Sequence, residues 1–155
     1  MQKLKRVKSE NIFPVIKELL DKDKSVRITV TGMSMHPFLR ENIDSVELLK
    51  AKPSDIRKGD IVMILRDSNV YVMHRVIKIE ENWFYMVGDA QQSIEGPLRY
   101  DQIFAKVISV WRKDKKIDCS NLWWKFLSNL WMILLPFRSC IIKSFVQFKH
   151  RYLLH

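Results

Sequence analysis

Apolar positions change their period along this chain, and the changes divide it. Residues 9–20 place Ile12, Phe13, Ile16, Leu19 and Leu20 at helical spacing, which predicts an amphipathic helix that Ser9 or Asn11 can cap. The polar run Asp21-Lys22-Asp23-Lys24-Ser25 breaks it. From residue 26 the period falls to two. Val26, Ile28 and Val30 alternate with Arg27 and Thr29, a strand signal that ends at Gly32. Further strands are predicted over 44–49, 61–65, 70–79, 83–87 and 102–111. Lys58-Gly59-Asp60, Asp67-Ser68-Asn69 and Glu80-Glu81-Asn82 supply turns between them.

Short strands separated by closely spaced turns favour a compact barrel or sandwich over a parallel sheet. The expected class is therefore mainly β, with an N-terminal helix over 1–25, a β core over 26–116 and a hydrophobic helical tail over 117–155. The tail reads differently from the rest. Trp123, Trp124, Phe126, Leu127, Leu130, Trp131, Ile133 and Leu134 crowd residues 122–135, and no charge falls between 126 and 137. That run is too short to span a bilayer alone. Aromatics beside Lys and Arg suit an interfacial helix, a helix packed on the core, or a dimer contact.

Composition narrows the partners. The 155 residues carry a formal charge of +10, which points to an anionic partner, nucleic acid or membrane surface. After Asp118 there is no acidic residue, whereas Lys125, Arg138, Lys143, Lys149 and Arg151 remain. The basic excess thus sits partly in the aromatic tail, and residues 122–154 are the expected membrane-facing segment. No nucleic-acid recognition motif is present, so that class ranks last. Cys119 and Cys140 form no disulfide framework and lack zinc spacing, and both read as free thiols. No apolar run follows the basic residues at the N-terminus, so export is not expected. The expected location is the cytoplasm, peripheral at the inner membrane face.

Three local features carry chemistry. In Gly32-Met33-Ser34-Met35-His36-Pro37 a strand ends at a glycine and a serine follows on the turn, where free backbone N–H groups can form an oxyanion hole. A serine hydroxyl needs a base within reach and a group that orients the base. His74 lies in Tyr71-Val72-Met73-His74-Arg75-Val76, where strand alternation puts it on one face with Val70, Val72 and Val76. Burial there keeps an imidazole neutral, as a general base must be. Val87-Gly88-Asp89-Ala90 is a turn, or else a carboxylate aimed at an imidazole. His36, His74 and Asp89 have no regular metal-ligand spacing. No cofactor is implied.

Taken together these residues resemble the signal peptidase and LexA-type serine peptidases. Gly32-Met33-Ser34-Met35 looks like the nucleophile box of the LexA-like branch, and Ser34-Met35-His36-Pro37 looks like the Ser-Met-x-Pro box of signal peptidases. Lys58-Gly59-Asp60-Ile61-Val62 is similar to the Gly-Asp-hydrophobic box of both branches. His74-Arg75-Val76 resembles the box of those signal peptidases in which His replaces Lys, and Gly88-Asp89 resembles their Gly-Asp box. The boxes stand in family order over residues 26–111.

The resemblance implies a β-rich core with Ser34 as nucleophile and His74 as general base. It implies an orienting acid, Asp89 first and Glu95 second. Gly32, Met33, Met35 and Pro37 would form the oxyanion and substrate-binding surroundings. Gly32 stands where many signal peptidases carry a hydroxyl donor, and Thr31 is one position further back, so the Ser34 backbone N–H would carry more of the oxyanion work. Ala90 replaces the Asn that often follows the Gly-Asp box. Residues before 26 are too few for a DNA-binding domain, and there is no Ala-Gly or Cys-Gly bond, which argues against a self-cleaving repressor. The expected function is an endopeptidase that removes a leader from a precursor peptide or protein. The alternative is a peptide-binding maturation partner that keeps the fold without turnover.

Overall fold

The computed structural model describes residues 9–138, 140 and 141. They form one mainly β unit with two longer helices, α1 (Ser9–Asp21) and α2 (Leu122–Ile133). The strands are β1 (Val26–Thr29), β2 (Asp44–Leu49), β3 (Ile61–Leu65), β4 (Tyr71–Ile79), β5 (Trp83–Val87), β6 (Glu95–Arg99), β7 (Ile103–Arg112) and β8 (Lys115–Asp118). All pairings are antiparallel. The sheet runs β1-β2-β7-β3-β4-β5-β6, and β8 forms a hairpin on β7.

The outcome is one sheet with a buried apolar cluster on each side of β3. In β3, Ile61 and Met63 enter a cluster with Val46, Leu48, Ala105, Val107 and Val110, while Val62 and Ile64 enter another with Ile56, Val76, Phe84, Met86 and Leu98. Successive side chains of a strand point to opposite faces. A strand buried on both faces must therefore read as an unbroken apolar run, and Ile61-Val62-Met63-Ile64-Leu65 does. Helix α1 closes the first face with Ile16 and Leu20, and Phe13 stacks on Tyr71.

Two strands escape the sequence pattern. β6 contains Gly96-Pro97, which argues against a strand; it is tolerated because β6 is an edge. β8 is short and polar. Its hairpin turns through Lys113 and Asp114, both at positive φ, without the glycine that usually marks such a turn.

The tail resolves into a docked helix. Asn121 caps α2 by accepting a hydrogen bond from the Trp123 N–H at 2.8 Å. Trp124, Ser128 and Trp131 form its buried face. Trp124 and Trp131 pack around Phe38, which lies beneath the Arg75 guanidinium. The opposite face is apolar too: Leu122 is 84% exposed, Ile133 72% and Trp123 66%. Among the described residues no helix is long and apolar enough to cross a membrane. The part of the expected membrane-facing segment over 142–154 lies outside the described residues.

Candidate active site

The site is built where the loop after β1 meets the end of β5, with His74 within the neighbouring strand β4. After β1 the chain turns at Gly32, whose φ of 85° is a left-handed value suited to glycine. The Gly32 N–H donates to Glu41 Oε1 at 3.0 Å. A tight turn follows, in which the Leu39 N–H donates to the Met35 carbonyl at 2.9 Å. Met35 and Leu39 are buried in the first cluster and pin this loop to the core. Ser34 is half-buried, Met33 and Pro37 are exposed, and His36 is half-buried. The expectation that Met35 lines a substrate surface is corrected for its side chain, which is core.

Strand alternation then separates two neighbours. His74 shares the face of Val72 and Val76, and Arg75 turns to the other face, towards Phe38. Arg75 binds Asp89 with both ends of its fork, Nε to Oδ1 at 2.8 Å and Nη2 to Oδ2 at 2.7 Å, and both side chains are fully buried. Its Nη1 donates to the Gly59 carbonyl at 2.9 Å and to Ser128 Oγ at 3.0 Å. The glycine box at 59–60, the arginine after His74 and the Gly-Asp box are therefore one buried polar assembly.

Asp89, placed first as the orienting acid, is committed to Arg75. Glu95, placed second, is the carboxylate beside His74, with Oε2 3.5 Å from Nδ1. That separation is longer than a hydrogen bond, and Nδ1 is buried without a hydrogen-bond partner. Arg66 holds both Glu95 oxygens, Nε to Oε1 at 2.5 Å and Nη2 to Oε2 at 2.6 Å. Burial pushes the His74 imidazolium to titrate below its ordinary value; the Glu95 charge opposes this and the Arg66 charge adds to it. The result is an imidazole held neutral near neutral pH.

Register and packing bring the Ser34 turn to the end of β5, the strand that pairs with β4. The β4–β5 ladder pairs Val76 with Met86 and ends at Arg75 with Val87; continuing that register by one step leads from His74 to Gly88. Opposed residues share a face. A Cβ at Gly88 would lie 2.7 Å from the Ser34 carbonyl oxygen, so the Ser34 backbone fills the space that any side chain at 88 would need. The Ala90 N–H donates to that same carbonyl at 2.8 Å. Glycine at 88 is thus a condition for bringing the Ser34 turn against the end of β5.

An apolar groove lined by Pro37, Phe38, Trp124, Leu127, Leu130 and Trp131 adjoins the same turn. Cys119 offers no rival nucleophile, because burial pushes its thiol up to about 12. Sequence reasoning did not single out Arg66, whose role rests on a contact spanning 29 positions, nor the share of Ser128 and Trp131 in the Asp89 assembly. The chain matches no family model, and no curated protein is significantly similar to it.

Proposed function

We propose that this chain is a serine endopeptidase of the signal peptidase and LexA-like type. Ser34 is the nucleophile, His74 the general base and Glu95 the group that orients the base. The observation that carries the reading is the Ser34 backbone packed into the space over Gly88, one step along from the Arg75–Val87 pair, with Glu95 beside the His74 Nδ1. When Nδ1 faces the carboxylate, Nε2 is the nitrogen left to accept a proton from the serine.

In this mechanism Ser34 Oγ adds to the scissile carbonyl carbon while His74 Nε2 takes its proton. The carbonyl oxygen becomes an oxyanion held by backbone N–H groups of the turn, that of Ser34 among them. Collapse breaks the peptide bond, and His74 returns the proton to the leaving amine. Water then repeats the sequence on the acyl-enzyme and releases the acid. Glu95 steadies the imidazolium formed in both halves. For this it must leave part of its bond with Arg66, and closing the 3.5 Å gap requires only a few tenths of an ångström. The substrate would be a leader-bearing precursor, with the groove beside Pro37 taking an apolar stretch.

The outward face of α2 supports a peripheral position at a membrane. Leu122, Trp123, Phe126 and Ile133 are exposed, and the sequence from 119 onward carries no acid to repel anionic headgroups. One observation favours the alternative of a peptide-binding partner without turnover: the full engagement of Glu95 by Arg66 leaves His74 Nδ1 unbonded. Incubating wild type and Ser34→Ala with leader peptides separates the two. The peptidase reading expects product from wild type alone; binding by both with product from neither supports the alternative.

A further inference from the structure

One peptide plane lies between the tail helix and the nucleophile turn. The Asp89 carbonyl and the Ala90 N–H belong to the same peptide unit. Its oxygen accepts the Trp131 indole Nε1–H at 3.2 Å, and its N–H donates to the Ser34 carbonyl at 2.8 Å. Trp131 is buried, and it is held in turn. Arg138 donates to the Trp131 carbonyl from Nε at 3.4 Å and Nη2 at 3.2 Å, and to the Gly88 carbonyl from Nη1 at 3.3 Å. Its Nη2 also lies 3.9 Å from Asp89 Oδ1, and its side chain is almost fully buried. The bonds made by the Trp131 indole and the Arg138 guanidinium are buried, where an unmade one is costly.

We infer that Trp131 is a positioning residue for the Ser34 turn: it fixes the plane of the 89–90 peptide, and that plane fixes the Ser34 carbonyl. Arg138 locks the two carbonyls on either side of the arrangement, those of Trp131 and Gly88. Linked bonds through one amide polarise each other, so the indole also strengthens the bond from Ala90 to Ser34. The tail helix is then a working part of the site, although none of its residues belongs to the boxes that mark the site in sequence. The consequence for catalysis rests on the peptidase reading; the positioning itself does not.

Amide hydrogen exchange in the full chain, read by NMR, tests the positioning whether or not Ser34 reacts. In Trp131→Phe, exchange at the Ala90 N–H should rise about tenfold while the Val46 and Val107 amides in the core stay within about twofold. Unchanged protection at Ala90, or an equal rise at all three, overturns the inference. Wild type gives a second reading that needs no variant to fold. The Trp131 indole proton and the Ala90 amide should exchange with matching protection, because they open together. Protection of the indole proton more than about tenfold below that of the Ala90 amide contradicts the coupling.

Discussion

A Cβ added to Gly88 would stand 2.7 Å from the backbone carbonyl oxygen of Ser34. No rotamer relieves that contact, because the obstacle is main chain. Gly88→Ala must therefore push the Ser34 turn away from β5. The expected loss of stability is modest, about 1–3 kcal/mol, as for other overpacked sites. The loss of activity is expected to be larger, about a hundredfold, because small misplacements of a nucleophile are costly. Thermal unfolding and peptide cleavage measured on one preparation check the two together.

The two carboxylates should fail in different ways. Asp89→Asn leaves the buried Arg75 without its counter-charge and should cost about 3–5 kcal/mol of stability. Glu95→Gln sits beside His74 and should lower kcat by about a hundredfold or more with little change in melting temperature. The reverse assignment, with Asp89→Asn stable but inactive and Glu95→Gln active, would restore Asp89 as the orienting acid.

On the peptidase reading, Arg66 should set the acid limb of the pH profile. Activity requires neutral His74, so the rate should fall as pH drops through the imidazole's lowered value. Arg66→Gln removes a positive charge from Glu95's side and leaves the carboxylate free to favour the imidazolium. The acid limb of kcat/KM should then move to higher pH. A limb that stays in place or moves down contradicts the Arg66–Glu95–His74 arrangement.

Acid stability should depend on Asp44, away from the site. Burial alone would raise its carboxyl, but hydrogen bonds from Arg40 and Arg112 overcome that and hold it at about 2, against an ordinary 3.8. The folded value lies below the unfolded one, so this contribution is complete above pH 3.8 and disappears as pH falls towards 2. It amounts to about 2 kcal/mol. Asp44→Asn should flatten the loss of unfolding free energy across that window in urea titrations at fixed ionic strength.

How much of this was legible beforehand follows from the physics of each signal. The strands over 44–49, 61–65 and 83–87 were readable because burial imposes a period, and the structure returns them with the same bounds. The hidden strands β6 and β8 sit at an edge and on a polar hairpin, where burial imposes little. The order of the two acids was open to reading in one respect: alternation along β4 sends His74 and Arg75 to opposite faces, and Asp89 can serve only one of them closely. The docking of α2 was one of the three readings its sequence left open, and the pattern did not choose among them. Both its faces are apolar, with Trp124 and Trp131 on the buried one and Trp123 and Phe126 on the exposed one, so no single apolar stripe marks the packed side.

The two faces of α2 should separate by mutation. Trp123→Ala with Phe126→Ala should reduce co-sedimentation with anionic phosphatidylglycerol vesicles and leave the melting temperature within a few degrees. Truncation after Lys116 should instead destabilise the whole unit, because Ser128 and Trp131 leave the Arg75–Asp89 assembly. A truncated chain that melts like wild type contradicts the docked role.

The central claim is that Ser34 is a nucleophile activated by His74, and covalent labelling reads it without knowledge of the substrate. The full chain is treated with a fluorophosphonate and its peptides are mapped by mass spectrometry. The account predicts one adduct on Ser34, formed at a rate that falls on acidification and lost in both Ser34→Ala and His74→Ala. No adduct on Ser34, or an adduct that forms undiminished in His74→Ala, would contradict it.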